Sequence, residues 1–101
     1  MYEYQCEIIE VYHSNYVRCR IDLGFDIEIK RNLTLYNVPS HIGSKNKKLN
    51  ELEITYFKHL VADKIVRLYL KNSNTATFYL SDGTILNDKL HEYHHLIKNY
   101  R

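Results

Sequence analysis

Apolar and polar side chains alternate through the first third of the chain. Residues 4–12 are rich in isoleucine, valine and tyrosine, and His13-Ser14-Asn15-Tyr16 makes a short polar break. Val17, Cys19, Ile21 and Leu23 then alternate with Arg18, Arg20 and Asp22, the period-2 pattern of a half-buried strand. Gly24-Phe25-Asp26 turns the chain. Ile27 and Ile29 alternate with Glu28 and Lys30, and after a break at Arg31-Asn32 the pattern resumes at Leu33 and Leu35. A meander of three strands is predicted.

The period then changes. Residues 40–48 read as a polar loop carrying Lys45, Lys47 and Lys48. Beyond it Leu52, Tyr56 and Leu60 fall on one stripe, which predicts an amphipathic helix over 49–62 packed on the sheet. Residues 65–70 and 75–80 predict two more strands, joined through Asn72-Ser73-Asn74, and Asp82-Gly83 is a turn signal. Asn87 reads as the N-cap of a last helix, with Asp88 in its first turn and Leu90, Tyr93, His94 and Ile97 facing inward. The order β-β-β-α-β-β-α describes a mainly β protein with helices, and a five-stranded OB-fold barrel is the architecture that fits it.

Composition narrows the class without naming a chemistry. At 101 residues the chain makes one domain, 1–101, and it is too apolar, at 45%, for a disordered segment. No apolar run approaches membrane-spanning length, and Met1-Tyr2-Glu3-Tyr4-Gln5 lacks the basic and apolar regions of a secretory leader. With only Cys6 and Cys19, read as reduced thiols, the expected location is cytoplasmic. A formal charge of +2 neither requires nor excludes nucleic acid, whereas ten tyrosines beside no tryptophan make an unusual aromatic content.

The segment from Glu7 to Ser40 resembles the start of staphylococcal-nuclease-like domains. Val11-Tyr12, Val17 and Ile21-Asp22-Leu23-Gly24-Phe25 fit that family's first block, and Leu33, Leu35 and Pro39 fit its second. The resemblance implies an OB barrel and, in catalytic members, calcium-dependent phosphodiester cleavage. At the positions that would carry the chemistry this chain departs from the family. The calcium-binding aspartates become Asn15 and Asn37, the first arginine becomes Asn32, and the glutamate that positions water becomes Ser40. The loop holding the second arginine is reduced to residues 71–75 and contains none. Calcium affinity depends on carboxylate charge, and a serine without a partner is no general base at neutral pH. Arg31, one residue from the lost arginine, points to the opposite face of a strand. His13 and His41 read as solvent-exposed loop residues. The resemblance therefore implies a degenerate, phage-type member without nuclease activity, catalytic residues or cofactor.

Two further patterns in the sequence bear on function. His91-Glu92-Tyr93-His94-His95 fits H-E-x-x-H in form, but a zinc centre needs a third ligand and an open position, so it reads as a polar helix face with no metal. Arg18, Arg20, Lys45, Lys47 and Lys48, with Tyr12, Tyr16, Tyr36, Tyr69 and Tyr79, are the candidates for contacting single-stranded nucleic acid. Glu3, Glu7, Glu10, Asp22, Asp26 and Glu28 populate the same strands and make the surface mixed in sign. The expected function is a non-catalytic module that docks on a host or phage protein. Single-stranded DNA or RNA binding is the alternative, and residual metal-dependent nuclease activity a remote third. Oligomeric state and partner are left open by the sequence.

Overall fold

The computed structural model describes residues 3–39, 47–62 and 64–98. Its elements are β1 (Glu3–His13), β2 (Tyr16–Asp22), β3 (Glu28–Leu35), α1 (Lys47–Val61), β4 (Ile65–Leu70), β5 (Thr75–Tyr79) and α2 (Leu86–Lys98). The strands close into a barrel in the order β1-β2-β3-β5-β4, with β4 returning to β1. All pairings are antiparallel except β3 with β5. This is the expected five-stranded OB-type barrel with two helices.

Strand β1 is long because it serves two neighbours. Glu3–Glu7 pair with β4 while Gln5 to His13 pair with β2. Register shifts between Ile8 and Glu10 and between Val11 and His13 bend it around the barrel, the usual work of a bulge. The inward row of β2 is the predicted one: Val17, Cys19 and Ile21 are buried. Strand β3 runs unbroken through Arg31-Asn32, because β2 pairs with every residue from Glu28 to Thr34. The predicted break there was a break in hydrophobicity only. Leu33, Leu35, Val66, Leu68, Ala76 and Phe78 complete the barrel interior. Cys6 and Cys19 lie in it as buried free thiols. A hydrogen bond with Cys19, then burial, pushes the Cys6 thiol far above its ordinary pKa.

Two helix expectations need correction. Helix α1 begins at Lys47, so Lys47 and Lys48 occupy its first turn and not a loop. Its buried stripe is Glu53, Phe57 and Val61, one residue on from the predicted Leu52, Tyr56 and Leu60. That rotation is possible because the Glu53 carboxylate meets His94 Nδ1 of α2 at 3.1 Å. Tyr56 stacks on Tyr93 beside it, with centroids 4.1 Å apart.

Asn87 is not an N-cap. It sits inside the first turn of α2 with its side chain buried against the barrel. Its Oδ1 accepts from Phe78 N–H at 2.9 Å, and its Nδ2 donates to the carbonyls of Tyr36 and Ala76 at 2.9 and 3.2 Å. One side chain thereby ties α2, β5 and the segment after β3.

Candidate functional site

Of the positions singled out by the resemblance, Asn15 lies in the β1–β2 turn, Asn37 just after β3 and Asn32 within β3. Ser14, fully buried, donates its hydroxyl to the Pro39 carbonyl at 3.0 Å. Leu35 N–H donates to the Asn15 carbonyl at 2.8 Å, so the β1–β2 turn is fastened to the segment that follows β3. Asn37 lies in that segment with φ +58°, a left-handed conformation asparagine tolerates well. Ser40, along with His41 and Lys45, lies outside the described residues. His13 is not an exposed loop residue. It ends β1, is half-buried, and its Nδ1 is buried without a hydrogen-bond partner.

Asn32 faces outward from β3 opposite Arg18, whose Nη1 donates to Asn32 Oδ1 at 3.0 Å. A guanidinium thus reaches Asn32 from the neighbouring strand. Arg31 pairs with Cys19 and lies on the other face, as strand alternation requires. Beside Arg18, Tyr12 and Tyr16 pack ring to ring with centroids 5.6 Å apart. The Tyr12 phenol is held above its ordinary pKa, first by its hydrogen bond to Glu10. Near the shortened β4–β5 loop, Lys71 Nζ stands 3.5 Å from the centre of the Tyr36 ring. That ammonium lowers the Tyr36 pKa, first through a hydrogen bond and then by its charge. The Lys71–Tyr36 pair was not foreseen, because a cation at the edge of a short loop carries no sequence signal until its aromatic platform is known.

Two of the described arginines are held by carboxylates. Arg20 Nη1 meets Glu7 at 3.2 Å and its Nε meets Glu28 at 3.6 Å. Arg67 meets Glu3 at 3.3 Å, and Tyr69 donates its hydroxyl to the same carboxylate at 2.9 Å. Lys47 and Lys48, exposed on α1, belong to a different element from Arg18 and Arg20. His91 and His95 share one helix face with ring centroids 4.6 Å apart. Among the described residues no three His, Cys, Asp or Glu side chains converge as a metal site.

The tip of the β2–β3 hairpin is the most exposed apolar feature. Ile27 N–H donates to the Gly24 carbonyl at 2.9 Å, and Leu23 N–H donates to the Ile27 carbonyl at 2.9 Å. The two central residues, Phe25 and Asp26, have φ +53° and +62°, the backbone of a type I′ turn. Gly24 precedes them at φ +84°, where a side chain would be strained. Phe25 is 97% exposed, and Leu23, Ile27 and Ile29 around it are also exposed. Type I′ turns favour Asn-Gly, since bulky residues are strained in the left-handed region. Phe25→Asn is therefore expected to raise stability by about 0.5–1 kcal/mol in urea unfolding, the strain outweighing what little a solvated ring contributes.

The fold defines the class: an OB-type barrel protein with an outer face of mixed charge. No protein-family model matches the chain, and the comparison with curated proteins finds no match. No helix among the described residues is long and apolar enough to cross a membrane.

Proposed function

We propose that this chain is a non-catalytic protein-binding module of the staphylococcal-nuclease type. The observation that carries the reading is Phe25, a large aromatic side chain held almost wholly in solvent on a turn that disfavours it. Strain kept at an exposed aromatic is the signature of a contact made elsewhere, and aromatic anchors dominate binding energies at protein interfaces. The neutral amides of Asn15 and Asn37, where the resemblance puts calcium-binding aspartates, and Asn32, where it puts an arginine, support the loss of the nuclease chemistry. The phage or mobile-element origin implied by the resemblance makes a host or phage protein the partner to seek.

Single-stranded nucleic-acid binding is the second reading. It is favoured by Arg18 standing beside the paired rings of Tyr12 and Tyr16 on the barrel face. It is weakened by the carboxylates that already hold Arg20.

One titration separates these readings. Labelled single-stranded and duplex oligonucleotides at ~50 mM salt, with and without calcium, are expected to be neither cut nor retained. Retention without cleavage, falling steeply as salt rises, would favour the second reading, and calcium-dependent cleavage would restore the enzyme. Immobilised wild-type protein is expected to capture a protein that Phe25→Asn does not; capture indifferent to Phe25 would refute its role as the anchor.

A further inference from the structure

The edge of β3 behind that tip is unpaired. Strand β3 pairs with β2 along its whole length, but with β5 only at Thr34 and Leu35. Among the described residues, no backbone hydrogen bond satisfies the other edge from Glu28 to Asn32. Glu28, Ile29, Lys30 and Arg31 are all exposed, and this stretch has neither a proline nor a bulge to blunt it. An open, regular edge is a template for another strand.

The charges on this arm are arranged in a way one chain does not explain. Across the β2–β3 ladder Asp22 lies opposite Glu28, and Arg20 lies opposite Lys30. Like charges directly opposite are unfavourable, and the diagonal Arg20–Glu28 contact at 3.6 Å relieves them only in part. The outer face thus carries a negative row next to a positive row.

We propose that β3 pairs antiparallel with β3 of a second copy of this chain, about a two-fold axis through Ile29. Side chains opposite each other across a sheet share a face, so a two-fold axis perpendicular to the sheet must pass through a residue position. An axis at Glu28, Lys30 or Arg31 sets that charge against its own copy. An axis at Ile27 sets Asp26 against Glu28 of the second copy. Ile29 sets Glu28 against Lys30 of the second copy, twice, and Ile29 against itself. The rows then read Asp22, Glu28, Lys30, Arg20 across the joined sheets, negative meeting positive. The same side chains that suit this register oppose its neighbours. The contact is isologous, as a two-fold dimer requires. It adjoins the Phe25 tip and shares Ile29 with it, but does not rest on the protein-binding reading.

Sedimentation equilibrium of the whole chain from about 1 to about 500 µM tests the dimer. The mass is expected to rise from 12.2 kDa to twice that value. Lys30→Glu and Glu28→Lys each turn two attractive cross-strand pairs into repulsive ones and are expected to weaken association about tenfold or more. Combining them restores complementarity and is expected to restore the dimer, which a variant damaged in its fold would not do. A monomer at every concentration, or a dimer indifferent to the single charge reversals, would overturn the proposal.

Discussion

Glu53→Ala is expected to cost about 3–5 kcal/mol of stability, the lost hydrogen bond of a buried carboxylate to His94 adding to the cavity left between the helices. Glu53 is 1% exposed on the inward stripe of α1, and His94, its partner, is largely covered by the same helix pair. Deletion leaves the imidazole facing a cavity where a carboxylate had been, next to the Tyr56–Tyr93 stack. The contrasting experiment replaces both members. Glu53→Leu combined with His94→Leu is expected to recover most of the loss, since apolar residues of similar volume substitute well for a buried pair. Equilibrium urea unfolding of the two single variants and the double variant measures this coupling directly. Single and double losses that simply add would mean that the pair contributes nothing as a pair.

Asn87→Ala is expected to be comparably damaging, again about 3–5 kcal/mol. The substitution strands two backbone groups in or near the core, Phe78 N–H and the Tyr36 carbonyl, and takes one of two donors from the Ala76 carbonyl, which keeps Tyr36 N–H. A buried polar group left without its partner costs about 1–3 kcal/mol, and partial rearrangement keeps the total below the sum. Asn87→Asp is expected to be no better. Its carboxylate still accepts from Phe78 but repels the Tyr36 and Ala76 carbonyl oxygens and gives the first no donor. Calorimetric melting distinguishes this from a surface effect, because a helix N-cap replaced by alanine costs only ~1 kcal/mol. A loss of that smaller size would mean that Asn87 serves α2 alone.

These two residues also mark where sequence reading stops. The alternation of Val17, Cys19 and Ile21 identifies β2 and its inner face, since a strand's period is a local property. Closure in the OB order was legible from the succession of periods and turns. Glu53 and Asn87 were misplaced because local rules assign a carboxylate to solvent and an asparagine before a helix to its cap. Each is buried by a partner distant in sequence: His94 for Glu53, Tyr36 for Asn87. The outward course of Arg18 was legible, but its hydrogen bond to Asn32 depends on cross-strand register. Phe25 was read only as part of a turn, because exposure on a hairpin tip has no periodicity.

The barrel's circumference is uneven in strength. Strand β2 is joined to both neighbours by seven residue pairs, yet β3 meets β5 through two, Thr34 with Thr75 and Leu35 with Ala76. Thr34 N–H to the Asn74 carbonyl at 2.8 Å and Tyr36 N–H to the Ala76 carbonyl at 2.9 Å extend that narrow seam at its ends. Its residues are far apart in the chain, so closing it costs loop entropy that two residue pairs must offset, whereas the β1–β2 and β2–β3 hairpins form from local contacts. The amides of Thr34 and Tyr36 should therefore exchange with solvent deuterium sooner than those of β2, through openings that leave the meander intact. Breathing of this barrel begins at the seam that Asn87 bridges.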